Sequence, residues 1–204
     1  MEPRTAMAYW QNGKLYLHGS TQSVARTVAN VAQWVGIPQD QLVFISEYTG
    51  GGFGGKIPGA QTMAIPAILA KKTGRPVMMR ITREEENYIG RARTGIHLRA
   101  KIGFRKDGRI LAMDLCGIGD VGPYSNQGDV GTVGSNATAL YNPESIRYHG
   151  VAVLTNTPPR VSQRAPGGEQ AAAMLEPMIG KAARHLGVDQ VEIRKINAPV
   201  TGTP

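Results

Sequence analysis

Thr49-Gly50-Gly51-Gly52-Phe53-Gly54-Gly55-Lys56 is the segment that points most directly to chemistry, with five glycines in six positions and a lysine at its end. Two phosphate-binding spacings coincide in it. Gly50-x-Gly52-x-x-Gly55 has the period of a dinucleotide loop, and Gly50-x4-Gly55-Lys56 that of a nucleoside-triphosphate loop. The second needs a Ser or Thr after the lysine to bind Mg²⁺, and Ile57 has no oxygen to offer. The first needs an acid about 20 positions on for the ribose. That neighbourhood holds Lys71, Lys72 and Arg75, and the next acid is Glu84. Both nucleotide readings fail. What remains is a loop whose backbone amides can approach an anion or oxo group, or a tight strand-to-helix turn that binds nothing.

The other polar candidates form no constellation in sequence. His18, His97, His149 and His185 are far apart and share no metal-binding spacing, so each reads as a surface or core histidine. Glu84-Glu85-Glu86 reads as a solvated or helix-capping run, and Cys116 as a small hydrophobe in an apolar strand. Arg164 stands among turn formers in Gln163-Arg164-Ala165-Pro166-Gly167-Gly168, just before a helix pattern, as an anion ligand or a surface charge. No Ser–His–Asp or Cys–His arrangement follows from the spacing.

The elements that would position these residues are legible in outline. Ala6–Trp10 and Lys14–His18 flank Asn12-Gly13, a hairpin signal. Ser20 or Thr21 is placed to cap a helix with apolar positions Val24, Val28, Val31 and Val35, ended by Gly36. A strand over Gln41–Tyr48 leads into the glycine loop. Pro58 then suits the first turn of a helix whose core face is read as Met63, Ile65, Ile68 and Leu69. Strands follow over Pro76–Ile81 and, as a hairpin turning at Lys106-Asp107-Gly108, over Thr94–Gly119. Gly117–Gly134 reads as a long ligand-facing loop. A strand over Ile146–Asn156 precedes a helix striped by Met174, Leu175, Met178, Ile179, Ala182 and Leu186, in which Pro177 marks a kink or the true first turn. Val188–Asn197 completes the chain with a short helix. Strands and helices alternate without a doubly wound beat, so the expected fold class is α+β, with mixed sheets and packed helices in one or two lobes.

Composition removes further classes. The 204 residues are 41% hydrophobic and 19% charged, neither a disordered nor a membrane profile, and no run is long enough to span a bilayer. One cysteine forbids an intrachain disulfide and any multi-cysteine metal site within the chain. The net charge of +8 is spread over elements rather than gathered in a tract, which argues against nucleic acid and for a solvated basic face or contact with an acidic partner subunit. The 26 glycines and 13 prolines are the outliers.

Three motifs fit one family. Ser20-Thr21-Gln22, the Gly50–Lys56 loop beginning 28 residues beyond Gln22, and Gln163–Gly168 together resemble the large subunit of the molybdenum hydroxylases, the xanthine dehydrogenase and aldehyde oxidase family. The resemblance includes Met1-Glu2-Pro3 and Val191–Asn197. It implies that residues 1–204 are a first molybdopterin-binding domain, as a fragment or split part of a larger subunit. It implies that Gln22 hydrogen-bonds the apical oxo ligand of molybdenum. Gly52, Phe53 and Gly54 would pass beneath the metal, and Arg164 would lie beside it. The metal would be held by the dithiolene sulfurs of a molybdopterin, as such or as its dinucleotide, so no side chain of this chain would ligate it.

The implied reaction hydroxylates an aldehyde or N-heterocycle with oxygen from water. The base would be a glutamate of a second molybdopterin domain, outside this chain, so the chain alone is expected to be inactive. Implied partners are the rest of the large subunit, an iron–sulfur subunit and an FAD subunit. The expected compartment is the cytoplasm, or the periplasm where a partner carries the signal. Ile57, Gln163 and Pro166 would line the substrate pocket. Purine-oxidising members carry an acid where Ile57 stands, an arginine near Gly131-Thr132-Val133 and an aromatic where Pro166 stands. Each missing charged hydrogen bond is worth about 1.5–3 kcal/mol, so an aldehyde or small aromatic is favoured over xanthine. The cysteine of carbon monoxide dehydrogenases is absent from Val161–Gly168. The alternatives to this function are a non-catalytic assembly domain of such a complex, or a basic nucleic-acid-binding domain.

Overall fold

Asn12 and Gly13 both adopt left-handed backbone, at φ 52° and 75°, as a two-residue hairpin turn requires. They join β1 (Thr5–Gln11) to β2 (Lys14–Gly19) in the computed structural model, which describes residues 2–57, 59–124 and 129–199. The chain divides into two units, Met1–Arg91 and Ala92–Pro204.

In the first unit β2 also pairs in parallel with β3 (Leu42–Ile45), and β1 pairs antiparallel with β4 (Val77–Arg80), giving the order β3-β2-β1-β4. Strand β3 is shorter than the expected Gln41–Tyr48. Helix α1 (Val24–Val35) is capped by Ser23, whose hydroxyl accepts from Arg26 N, and not by Ser20 or Thr21, which are buried and bonded elsewhere. Gly36 ends it at φ 74°. Val31 is buried as expected, with Thr27 and Ala32 beside it, but Val24 is half exposed.

Helix α2 (Gln61–Thr73) reverses its expected face. Met63 is buried, but so are Ala64, Ala67 and Ala70, while Ile65, Ile68 and Leu69 are exposed. The reason is close approach. Ala6 and Ala8 of β1 share a core with Ala67 and Ala70, and Trp10 Nε1 donates to the Ala67 carbonyl at 2.9 Å. Small residues bring helix and sheet together, and the larger aliphatics are left outside. Pro58 lies outside the described residues, and the helix starts at Gln61. Of the three glutamates, Glu85 forms a capping box with Thr82 at α3 (Arg83–Ile89), and Glu86 pairs with the buried Arg4.

In the second unit β5 (Gly95–Phe104) pairs antiparallel with β6 (Ile110–Gly122), and β6 pairs in parallel with β7 (Ser145–Leu154). Helices α4 (Val130–Leu140), α5 (Gly168–Leu186) and α6 (Gln190–Asn197) supply Val133, Ala137, Leu175, Ile179 and Ile193 to one core with Met113 and Leu115. Within the expected loop over Gly117–Gly134, Gly117–Gly122 end β6 and Val130–Gly134 begin α4, while residues 125–128, Asn126 among them, lie outside the described residues. Gly119 is a strand residue on the buried face, where a Cβ would strike Val130. Pro177 falls inside α5, well past its start, so it does not mark the first turn. Among the described residues, no helix is long and apolar enough to cross a membrane. The fold is α+β with two mixed sheets, as the sequence pattern predicts.

Candidate functional site

Ser20-Thr21-Gln22 follows β2 and lies along the glycine loop, to which all three residues are stitched. Gln22 N donates to the Lys56 carbonyl at 3.2 Å, and Thr21 Oγ1 donates to the same carbonyl at 3.1 Å. Lys56 Nζ donates to Ser20 Oγ at 2.8 Å. The Gln22 side chain completes the seam: its Oε1 accepts from Gly54 N at 2.9 Å and from Lys56 N at 3.2 Å.

That seam fixes the orientation of the amide. Two N–H groups can face only its oxygen, so the NH2 must point away from the loop. Among the described residues, Gln22 Nε2 has no hydrogen-bond partner. Gly52 lies directly against this side chain, and a Cβ there would collide with the Gln22 amide. The bend that makes this possible uses left-handed backbone at Gly54, φ 96°, and also at Phe53, φ 53°, where a non-glycine residue is strained. Phe53 is nearly half exposed at the tip.

The loop's amides are less open than its glycine content suggests. Gly50 N donates to the Glu2 carboxylate, Gly54 N and Lys56 N to Gln22, and Gly55 N to the Gly52 carbonyl. Four of the loop's amides are thus already engaged, and the donor aimed away from the loop is a side chain, Gln22. Lys56 is buried and ion-paired with Glu2, which agrees with its rejection as a phosphate ligand. Burial alone would raise the Glu2 carboxyl, but hydrogen bonds from Lys56, Ser20 and the Gly50 amide pull it below the usual carboxylate range. Ile57 is partly buried, its carbonyl accepting from Arg91 Nη1 at 2.6 Å.

In the second unit, Gln163-Arg164-Ala165-Pro166 leads into α5 through Gly167, which stands at φ 70° and is buried against Thr132 and Val133 of α4. Ala165 is also left-handed, at φ 57°. Asn136 Nδ2 holds the Pro166 carbonyl at 3.0 Å, and Arg93 Nη2 holds the Arg164 carbonyl at 2.8 Å. Behind Arg93 stand Arg160, whose Nη1 donates to the Arg93 carbonyl at 3.2 Å, and Asp120, which pairs with Arg160. A hydrogen bond from Thr155 holds the Asp120 carboxyl below its ordinary value against the opposing effect of burial, with the Gly122 amide, Thr157 and Arg160 adding to it. Arg164 and Pro166 are exposed and Gln163 is partly buried. Gln22, Gly52, Phe53, Gly54 and Ile57 thus belong to the first unit, and Gln163, Arg164 and Pro166 to the second.

Sequence reasoning missed Glu2 and Arg4. Arg4 Nη2 donates to the Gly55 carbonyl, while Nη1 and the backbone N bind Glu86. The only available signal was a charged pair flanking Pro3 ahead of the first strand. Asp120, Arg160 and Arg93 were equally hidden, because their partners are distant in sequence.

The molybdopterin cofactor-binding domain family matches residues 1–198. This chain belongs to that family. An aldehyde oxidoreductase of Megalodesulfovibrio gigas is 35% identical over 202 residues, spanning 97% of this chain and 22% of that protein. The large molybdopterin subunit of an Eubacterium barkeri nicotinate dehydrogenase is 31% identical over 205 residues, spanning 99% of this chain and 48% of the subunit. The crystal structure of quinoline 2-oxidoreductase from Pseudomonas putida 86 superposes with a TM-score of 0.91 at 27% identity, covering 98% of this chain and 26% of that one. The chain therefore spans between about a fifth and a half of the length of these relatives.

The geometry fits a molybdopterin group. Among the described residues, no three His, Cys, Asp or Glu side chains are grouped to hold a metal ion. A cofactor that carries its own metal ligands needs none, and it does need oriented donors around it. The molybdopterin-binding domain offers one in the outward NH2 of Gln22, on a loop thinned by glycine beside it.

Proposed function

We propose that this molybdopterin-binding domain works as part of a larger molybdenum hydroxylase acting on an aldehyde or small N-heterocycle, with iron–sulfur and FAD modules elsewhere in the assembly. The observation that supports this reading most is the Gln22 amide, whose oxygen is locked by Gly54 and Lys56 and whose NH2 has no partner among the described residues. The bound cofactor supplies the redox chemistry that moves electrons off the substrate carbon.

The chain's own part is to bind and orient. Gln22 donates a hydrogen bond to an acceptor on the cofactor's metal centre, held in place by the two loop amides. Gly52 and Gly54 keep the approach free of side chains, and Phe53 excludes water at the loop tip. In the second unit, Arg164 is assigned to the cofactor and is positioned through its carbonyl by Arg93. Ile57, Gln163 and Pro166 are assigned to the substrate pocket, where an apolar Ile57 suits a neutral aldehyde or aromatic. The relatives' names, aldehyde, nicotinate and quinoline, fall within these two substrate classes. The base and the electron-transfer groups are expected outside this chain, so the domain alone is proposed to be inactive.

Gln22→Glu in the full-length enzyme tests the assignment. The introduced carboxylate would keep an oxygen for the Gly54 and Lys56 amides, so stability should hold, but it replaces the NH2 donor by an acceptor. The expected loss of kcat is about 10–100-fold, in the range of lost support around a metal. Unchanged kcat with full cofactor content would contradict the role.

A further inference from the structure

Glu2 reaches both ends of the glycine loop. Its Oε2 accepts from Gly50 N at the loop's start, and its Oε1 pairs with Lys56 Nζ at the loop's end. Lys56 is the residue through which the Ser20-Thr21-Gln22 segment is tied down, by its N–H to Gln22 Oε1, its carbonyl to Gln22 N and Thr21 Oγ1, and its Nζ to Ser20. Arg4, two residues on, takes the Gly55 carbonyl between them. Three consecutive residues ahead of β1 therefore span the loop from Gly50 to Lys56. The strained left-handed Phe53 and Gly54 sit inside that span.

We infer that Glu2 is a positioning residue, which sets where Gln22 presents its NH2 by holding the two ends of the glycine loop at a fixed separation. A carboxylate suits this task because it has two acceptor atoms on one rigid plane, one for each end. An amide has only one acceptor. Its NH2 would face either the Gly50 N–H or the Lys56 ammonium, donor against donor, and one end of the loop would be released. Strained backbone persists only where its surroundings over-determine it, so a released end lets Phe53–Lys56 relax and carries Gln22 Oε1 with it. This role rests on the cofactor reading of Gln22.

The test is Glu2→Gln in the full-length holoenzyme, with Glu2→Asp as a second variant that keeps the charge and loses the reach. Four quantities are measured: molybdenum content, kcat against KM, melting temperature, and deuterium uptake of a peptide covering residues 52–57. Expected for both variants are wild-type metal content, a kcat lower by about tenfold or more, and a KM within about threefold of wild type. Uptake at the Gly54 and Lys56 amides rises while the melting temperature stays close to wild type. Wild-type kcat and wild-type uptake would overturn the inference. So would a kcat loss matched by a general loss of melting temperature and protection, which marks Glu2 as a fold residue only. Failure of the underlying reading looks different: Gln22→Glu would then itself retain full kcat. A crippled Gln22→Glu beside an unaffected Glu2→Gln removes only the role of Glu2.

Discussion

Gln22 is where residue chemistry and local structure meet. Its spacing from the glycine loop was legible in the sequence, but the direction of its amide was not. That direction depends on which loop N–H groups survive the turn, and these are Gly54 and Lys56. Glu2 and Arg4 were illegible for the same reason, since their partners in the glycine loop and α3 lie 48 to 82 positions away. Gly52 shows how a glycine can be required by its neighbour rather than by its own φ. Gly52→Ala should drive a methyl into the Gln22 amide, costing about 1–3 kcal/mol as overpacking. Chemical denaturation of the two proteins checks the magnitude, and kcat should fall with it as Gln22 is displaced.

At the scale of elements, local signals succeed where the physics is local. Asn12-Gly13, Gly36 and the turn around Gly108 each sit at left-handed φ, and each punctuates the chain where the sequence places it. The α2 face is illegible because side-chain size predicts burial of the large aliphatics, while contact with Ala6 and Ala8 selects small residues. Ala67→Leu should therefore cost about 1–3 kcal/mol, whereas Ile65→Ser should stay within about 0.5 kcal/mol. Denaturant midpoints distinguish the two, and equal costs would contradict the packing described. The glycines of β6 mislead in the opposite sense: Gly119 makes room for Val130 within a strand rather than opening a loop.

The Glu2–Lys56 seam also carries a pH signature. The Glu2 carboxyl is depressed, so its contribution is fully present above the ordinary carboxylate value and is lost as pH falls toward the depressed one. Glu2→Gln removes that dependence. The gap between wild type and variant in local protection of the Gly54 and Lys56 N–H groups should close as the solution is acidified below the ordinary carboxylate range, as hydrogen exchange at stepped pH would show. A gap constant across that range would contradict it.

For the whole molecule, the family identity changes what its length means. A chain of 204 residues has enough core to fold in two units, Met1–Arg91 and Ala92–Pro204, yet it spans only 22% of one relative and 48% of another. The lone cysteine, which excludes a multi-thiolate site built by the chain, leaves room for a cofactor that brings its own sulfurs. The protein to which these residues belong is proposed to hold molybdenum and a pterin. The most direct measurement is elemental molybdenum and pterin analysis of the full-length protein, purified with the subunits that accompany it. Stoichiometric amounts of both are predicted. A complete, folded complex containing neither would contradict the account.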